Sequence, residues 1–436
     1  MISNRAYFLF ALPVILFAFW LMTNLERLSY RVYYYANKLG LPSTPYSDFF
    51  QALLLFIAIT GIAAVIARDR RYLQLWLIKA FVTLVVMIPY EYHYGLDAYL
   101  YYANAILDTP LSSGGKSGTD NVIWINHYFT YLVGDSYYAL KLLNSFIAFI
   151  GLIYLYKSYE YIMRKSGFGL RNDRFIYVLF LFPSVLFWSS ILGKDPLNLF
   201  FVGLFTYGAL RLSDHFGLKA FLFLALGIIG VYYIRTWWSI IMLLSIVFYY
   251  TRLNSFRNVL YLVLLSPVLY FAMGYFLQMQ HIASFQDLFV KMTYTSQVLS
   301  YGSSSIEATK IAGFGDYALH YLPNLFTSLF RPMPWDVNNA FSLLAAVENV
   351  VLLYFAYRYI FRNWREVFAQ RYLRFLILFI IAWSLFYVVI SPTNLGMAVR
   401  FKLQVLPAML IVIGVSRRIY LAKMANAKQT SPAPTA

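Results

Sequence analysis

The sequence predicts an all-α integral membrane protein, because it is too apolar and too poor in charge for a soluble domain. Of its 436 residues, 61% are hydrophobic and 12% are charged, and the mean hydropathy is +0.63. Soluble domains carry about 25% charged residues. Apolar runs of the length that a bilayer requires, about 20 residues each, recur along the chain. We therefore expect about twelve transmembrane helices in one polytopic membrane domain, residues 1–424.

The apolar runs give the predicted spans in order. Their approximate bounds are 6–23, 48–67, 72–90, 136–156, 175–192, 196–210, 220–234, 237–250, 259–277, 339–357, 375–391 and 403–416. The first run follows a short basic start and lacks a small-residue cleavage site, so we expect a retained span. The polar, proline-containing tail 425–436 predicts disorder. The absence of cysteine excludes disulfides, thiolate metal sites and cysteine nucleophiles.

The basic residues predict the orientation. With the N-terminus in the cytoplasm, most of the 35 Lys and Arg residues fall in cytoplasmic segments, as the positive-inside rule requires. Both termini are then cytoplasmic, and the net charge of +17 needs no nucleic acid to explain it. Two long external loops follow, at about 91–135 and 278–338. We expect interfacial helices in both.

An apolar stripe in the second external loop predicts a helix. It lies either in the membrane interface or against the spans, and the spacing does not distinguish the two. The stripe consists of Leu319, Leu322, Phe326, Leu329 and Phe330.

Four basic residues on the predicted external face are not explained by orientation. Lys194, Arg235, Arg331 and Arg400 come from four separate hairpins. For each one alone, snorkelling or a structural ion pair is the simpler explanation. Four cations at one face repel each other unless they share an anion, and a membrane supplies lipid phosphate or diphosphate. We therefore interpret the set as a diphosphate-binding site, with supporting roles for Asp195, Trp335 and Glu348.

Two external side chains are candidates for a general base. Asp97 follows a predicted span in EYHYGLD, and His93 lies in the same segment. A carboxylate or an imidazole in that place can accept a proton from a sugar hydroxyl. The alternative for Asp97 is a helix cap or a solvated loop residue. The sequence contains no pattern that indicates a metal or another cofactor.

Three segments resemble bacterial membrane proteins of surface-polysaccharide assembly. They are FPSVLFWSSILGKDPL (182–197), LFRPMPW followed by AVENVVLLY, and NLGMAVRFKLQVLPAML (394–410). The resemblance is to family-39-like glycosyltransferases of the GT-C fold and to Wzy-type O-antigen or exopolysaccharide polymerases. It implies a catalytic aspartate at Asp97 and diphosphate contacts from Arg235, Arg331 and Arg400. In many GT-C proteins the aspartate loop follows the first span, whereas here it follows the third. Lys402 stands where a second arginine is expected.

The resemblance implies glycosyl transfer from a polyprenyl-(di)phosphate-linked donor to a glycan acceptor, at the external face of the bacterial inner membrane. A polymerase is favoured over a single-sugar transferase, since the chain lacks a sizeable soluble domain and has a large second external loop. Other polysaccharide assembly proteins are further expected partners. The alternatives are a flippase for lipid-linked oligosaccharides, in which Lys79, Lys141 and Glu348 would be the ionisable residues near the midplane, and a structural scaffold.

Overall fold

The computed structural model describes residues 4–430, except 39, 41–43, 67–68, 110–117, 171–172, most of 251–281, 301–304 and 308–309. Within these residues the chain is helical and contains no strand, as predicted. The α-helices are α1 (Asn4–Thr23), α2 (Leu25–Leu28), α3 (Tyr30–Lys38), α4 (Pro45–Ile66), α5 (Arg70–Phe81), α6 (Met87–Tyr94), α7 (Ala98–Leu107), α8 (Gly118–Val133), α9 (Tyr137–Lys165), α10 (Phe175–Leu181), α11 (Pro183–Trp188), α12 (Lys194–Asp214), α13 (Leu218–Ile234), α14 (Thr236–Tyr250), α15 (Phe285–Leu299), α16 (Phe314–Phe330), α17 (Ala340–Phe355), α18 (Trp364–Ala369), α19 (Arg371–Ile390), α20 (Leu395–Lys402) and α21 (Leu406–Thr430).

Short π and 3-10 segments extend several of these helices. The π segments are Val82–Val86, which joins α5 to α6, and Ala356–Ile360. The 3-10 segments are Pro334–Asp336, Phe361–Asn363 and Ser391–Thr393. The final helix runs to Thr430, so the first part of the tail from Ala425 is helical, and residues 431–436 lie outside the described residues.

The protein is membrane-embedded, but the predicted count of about twelve spans is not confirmed. Among the described residues, five helices are long and apolar enough to cross a bilayer: Pro45–Val65, Arg70–Tyr94, Tyr137–Lys165, Ala340–Ala369 and Arg371–Thr393. A sixth span results if Leu395–Lys402 and Leu406–Asn426, bent by 63°, are counted together. Two shorter apolar helices, Leu218–Ile234 and Thr236–Val247, lie at two other predicted positions.

Among the described residues, the predicted span 6–23 forms α1 but is not one of the helices identified as long and apolar enough to cross a bilayer. Three further predicted spans differ as follows. The run 175–192 is interrupted before Pro183, which leaves α10 with 7 residues and α11 with 6. At about 1.5 Å per residue neither helix approaches the roughly 30 Å of a bilayer core. Helix α12 has 21 residues, but Lys194 and Asp195 lie in its first turn and Arg211 in its last. The run 259–277 lies largely outside the described residues.

The chain divides into two compact units, each described by itself. The first comprises residues 1–150 and 186–200, and the second comprises 151–185 and 201–436. In the first unit, the ring of Trp76 packs 5.1 Å from Phe146 and 5.6 Å from Phe149, and its indole N–H donates to Thr60. In the second unit, Trp238 packs 5.0 Å from Phe379 of α19.

Glycines allow three helices of the second unit to touch through their backbones. A Cβ atom on Gly203 of α12 would lie 2.4 Å from the carbonyl oxygen of Gly151 in α9. One on Gly208 would lie 2.6 Å from the backbone nitrogen of Leu224 in α13. Small residues are the usual means of close helix packing in membranes. Helices α9, α12 and α13 are therefore packed more closely than larger side chains would permit.

The helix predicted from the apolar stripe is present as α16, and its two ends differ. Leu319 and Leu322 are 72% and 71% exposed, whereas Leu329 and Phe330 are buried. The opposite side of α16 bonds to α19, where the Tyr317 hydroxyl donates to the carbonyl of Leu385 over 2.6 Å. The stripe thus packs against the protein at one end and leaves an apolar surface at the other.

Candidate functional site

Asp97 lies at a sharp turn between two helices of the first unit. Helix α6 ends at Gly95, whose φ of +62° is a left-handed conformation that glycine adopts at little cost. The chain then reverses, and Asp97 occupies the N-cap position of α7. Its carboxylate makes no capping hydrogen bond, and the residue is exposed, as is His93. The helix-cap explanation of Asp97 therefore lacks its defining hydrogen bond.

Lys194 and Asp195 begin α12 next to the same helix α7. The preceding Gly193 has a φ of +145°, and a Cβ atom there would lie 2.9 Å from the ring of Tyr101. The backbone N–H of Tyr101 in turn donates to the carbonyl of Asp97 over 3.0 Å. The Lys194 ammonium donates to the hydroxyl of Thr119 in α8 over 2.6 Å, and Asp195 is buried. Tyr101, in the first turn of α7 after Asp97, is thus also in contact with the turn that precedes Lys194.

The ionisable residues inside the first unit are engaged in internal contacts. The Lys141 ammonium lies 2.8 Å from one carboxylate oxygen of Glu91 and 2.9 Å from the other, and all these atoms are buried. Lys79 donates to the backbone carbonyl of Ser189 over 2.9 Å and to the hydroxyl of Ser190 over 3.2 Å. These two lysines hold helices together, which accounts for them without a transport function.

Arg331 in the second unit forms an ion pair with a nearby carboxylate. Its guanidinium donates to both oxygens of Asp336, with Nε at 2.9 Å, and Asp336 also accepts the N–H of Met333 over 2.8 Å. The hydrogen bond from Arg331 lowers the pKa of Asp336, and the same bond raises the pKa of Arg331. Trp335, between them along the chain, is 72% exposed. The charge of Arg331 is therefore largely neutralised by Asp336.

Glu348 and Lys402 form the centre of a buried polar network in the second unit. Glu348 accepts the N–H of Ser184 at the start of α11 over 2.7 Å, and it lies 3.9 Å from the Lys402 ammonium. Lys402 donates to the side-chain oxygen of Asn349. The amide nitrogen of Asn349 donates to the carbonyl of Pro332 over 2.9 Å. The network therefore joins α11, α17 and α20 to the segment that follows Arg331.

Arg235 contacts the same helix α20, which also contains Arg400. The guanidinium carbon of Arg235 is 5.4 Å from the ring centroid of Phe401, a cation–π distance, and Phe401 lies between Arg400 and Lys402 in α20. The side chain of Asn394 caps α20 by accepting the N–H groups of Gly396 and Met397. A continuous set of contacts thus connects Arg235, through α20 and Asn349, to the peptide that follows Arg331.

The predicted site residues are distributed over both units. His93, Asp97, Lys194 and Asp195 belong to the first unit, and Arg235, Arg331, Trp335, Glu348 and Arg400 to the second. In the second unit, contacts run from Arg235 to Phe401 of α20 and from Lys402 of α20 to Glu348 and Asn349. The convergence of all four cations on one headgroup remains a prediction.

Three polar residues of this site were not found from the sequence: Asn349, Asp336 and Ser184. Asp336 follows Arg331 by only five residues, and this short spacing is the one signal in the sequence that could have identified the pair. Asn349 and Ser184 meet their partners only through the tertiary fold, and their sequence neighbourhoods contain no such signal. Within the described residues, no three His, Asp or Glu side chains are grouped closely enough to hold a metal ion.

Comparisons of the chain with protein-family models, with curated proteins and with solved structures find no match. The resemblance to polysaccharide-assembly proteins therefore stays an expectation, and the function has to be argued from the geometry.

Proposed function

We propose that the protein transfers glycosyl groups from a polyprenyl-(di)phosphate-linked donor at the external face of a bacterial inner membrane, as a Wzy-like polymerase. One observation carries the proposal: Arg235 packs against Phe401 of α20, the helix that also contains Arg400 and Lys402, and Lys402 connects through Asn349 to the peptide after Arg331. Cations of this kind stabilise a diphosphate leaving group. A GT-C-like arrangement with about twelve spans is part of the proposal.

The proposed reaction uses a base and an anion-binding group. The carboxylate of Asp97, or the imidazole of His93, accepts the proton of an acceptor hydroxyl. The hydroxyl oxygen attacks the anomeric carbon of the donor, and the bond from that carbon to the phosphate oxygen breaks. Arg235 and Arg400 stabilise the charge that develops on the departing diphosphate. Both candidate bases are exposed, which allows a hydrophilic glycan to approach them.

The buried charges favour transfer over transport. In a transporter, ionisable residues near the midplane line a path for the substrate or a coupling ion. Here Lys141 pairs with Glu91, Lys79 binds the Ser189 carbonyl, and Glu348 binds the Ser184 N–H. All three contacts connect helices to each other. The two candidate bases, in contrast, have exposed side chains: His93 lies in the last turn of α6, and Asp97 lies at the N-cap of α7.

The test is deletion of the gene and complementation with variants, followed by analysis of surface glycan length. We expect Asp97→Asn to yield single-repeat material without long chains, and the matched control Asp108→Asn, an exposed aspartate at the other end of α7, to restore them. We expect Arg400→Gln to behave like the deletion and Arg362→Gln, an exposed arginine on the predicted cytoplasmic side, like the wild type. Loss of all surface glycan, or a truncated repeat, would contradict a polymerase and support a single-sugar transferase or a flippase.

A further inference from the structure

A cavity in the second unit opens at the predicted cytoplasmic side, away from every residue assigned above. It has a volume of about 470 Å³ and lies where α9 and α12 end and α13 begins. Its walls contain three cationic side chains and a histidine alongside aromatic rings. The polar residues are Lys165, Arg211, His215 and Lys219, and the main aromatic residues are Tyr161, Tyr207 and Phe223.

The cations of this cavity rest on aromatic faces. The guanidinium carbon of Arg211 is 5.5 Å from the Tyr161 ring and 5.9 Å from the Tyr207 ring. The Lys219 ammonium is 5.8 Å from the ring of Phe223. A cation held over a ring face retains N–H donors for an anion. The aromatic rings therefore stabilise the cations of Arg211 and Lys219 and leave their N–H groups available to donate hydrogen bonds to an anion.

One carboxylate near the cavity is already committed to other partners. Asp214 lies 2.8 Å from the Lys165 ammonium and 3.6 Å from Arg371, and it accepts a hydrogen bond from Tyr372 over 2.7 Å. Burial raises the pKa of Asp214, but the hydrogen bonds from Lys165, Tyr161 and Tyr372 lower it by more than burial raises it. The resulting pKa is about 2. Among the residues that the structure describes, no carboxylate forms an ion pair with Arg211 or Lys219. These two cations supply the net positive charge of the cavity.

The first turn of α13 adds to the positive potential. Helix α13 has 17 residues, and its N-cap residue Gly217, which lines the cavity, has no side chain to cap it. The N–H groups at the start of a helix attract anions. This feature supports the side-chain cations and would not define a site without them.

An apolar surface continues from the cavity along α13. Phe216, which lines the cavity, is 70% exposed, and Leu218, the first residue of α13, is 67% exposed. Leu222, Leu226 and Ile229 follow at helical spacing and are 48%, 51% and 53% exposed. A soluble phosphate compound would make no contact with this apolar surface, whereas the acyl chains of a lipid can pack against it.

We propose that this cavity binds the phosphate headgroup of an anionic phospholipid, with Arg211 and Lys219 on the phosphate and the acyl chains along α13. Basic pockets between membrane helices on the cytoplasmic side suit anionic headgroups. The inference does not depend on the proposed glycosyl transfer.

The experiment is native mass spectrometry of the full-length protein in detergent, titrated with phosphatidylglycerol or phosphatidylcholine. We expect wild-type protein to prefer phosphatidylglycerol, and the double variant Arg211→Gln and Lys219→Gln to lose at least roughly tenfold in affinity for it, since two charge-assisted contacts are removed. The control, Arg164→Gln with Arg362→Gln, removes the same charge at two exposed cytoplasmic arginines and should bind like the wild type. The variant Arg211→Lys and Lys219→Arg, which retains both charges, should keep most of the affinity and shows that substitution here permits folding.

Three outcomes would overturn the proposal. Equal affinity of the wild type for both lipids would mean that the cavity does not recognise headgroup charge. Equal losses in the double variant and its control would mean non-specific attraction to the cytoplasmic surface. The third outcome is that inorganic phosphate displaces phosphatidylglycerol and binds with the same affinity as the lipid. That result would identify a soluble phosphate compound as the ligand.

Discussion

The two units each contain one buried lysine–glutamate pair, and the pairs are built differently. In the first unit, Lys141 contacts both oxygens of Glu91 at 2.8 Å and 2.9 Å. In the second unit, Lys402 lies 3.9 Å from Glu348 and bonds Asn349 instead, while Glu348 accepts a backbone N–H. The first pair is closed and joins two long helices. The second is open, because Lys402 at the end of α20 and Glu348 in the middle of α17 each bond a different third residue. The same two residue types thus form a direct ion pair in one unit and a shared polar network in the other.

The largest effect should follow from opening the closed pair. Lys141→Met leaves the buried carboxyl of Glu91 without its cation, which we expect to cost about 3–5 kcal/mol of unfolding free energy. The double variant Lys141→Met and Glu91→Leu should recover most of that loss, because apolar residues of similar size replace both charges. Thermal unfolding in one detergent compares the two. Equal destabilisation of the single and double variants would show that packing at Lys141, and not charge, is what matters.

A smaller effect is expected at the open pair, Lys402 and Glu348. Lys402→Met removes one hydrogen bond to Asn349 and a longer ion pair, while Glu348 keeps the N–H of Ser184, so we expect about 1–3 kcal/mol. A double-mutant cycle with Glu348→Gln should give a smaller coupling energy than the same cycle on Glu91 and Lys141. A larger coupling for Glu348 and Lys402 would reverse the comparison.

The smallest effect concerns the partly exposed pair of Arg331 and Asp336 and depends on pH. The pKa of Asp336 is lowered in the folded protein, so the stability it contributes is present above its ordinary pKa of about 3.9 and is lost as the pH falls through the folded value. Asp336→Asn should therefore be less stable than the wild type at pH 7, by at most about 1 kcal/mol. Unfolding measured from pH 7 downwards should show this difference shrinking once the pH falls below the ordinary aspartate pKa and disappearing below the lowered pKa of Asp336. A difference that persists in acid would mean that the carboxylate charge is not its cause.

What the sequence could predict depends on how far apart the interacting residues lie along the chain. The helices at 45–66 and 371–390 agree with the predicted runs 48–67 and 375–391 to within four residues at each end, because a long apolar run is a local property. The residues that interrupt the helix before Pro183 and the charged residues of α12 are also local, but the apolar runs beside them are long enough to predict spans. Lys402, predicted only as a weaker substitute for arginine, instead bonds Asn349, which is distant in sequence. No periodicity in the chain encodes such a contact.

The glycine contacts of α9, α12 and α13 have a mechanical consequence. Backbones that touch at Gly151, Gly203 and Gly208 have no compliant side chains between them, so these helices are expected to move together as a rigid block. A conformational change in the second unit must then hinge outside this block. The phospholipid cavity at the ends of these three helices would keep its shape throughout the working cycle.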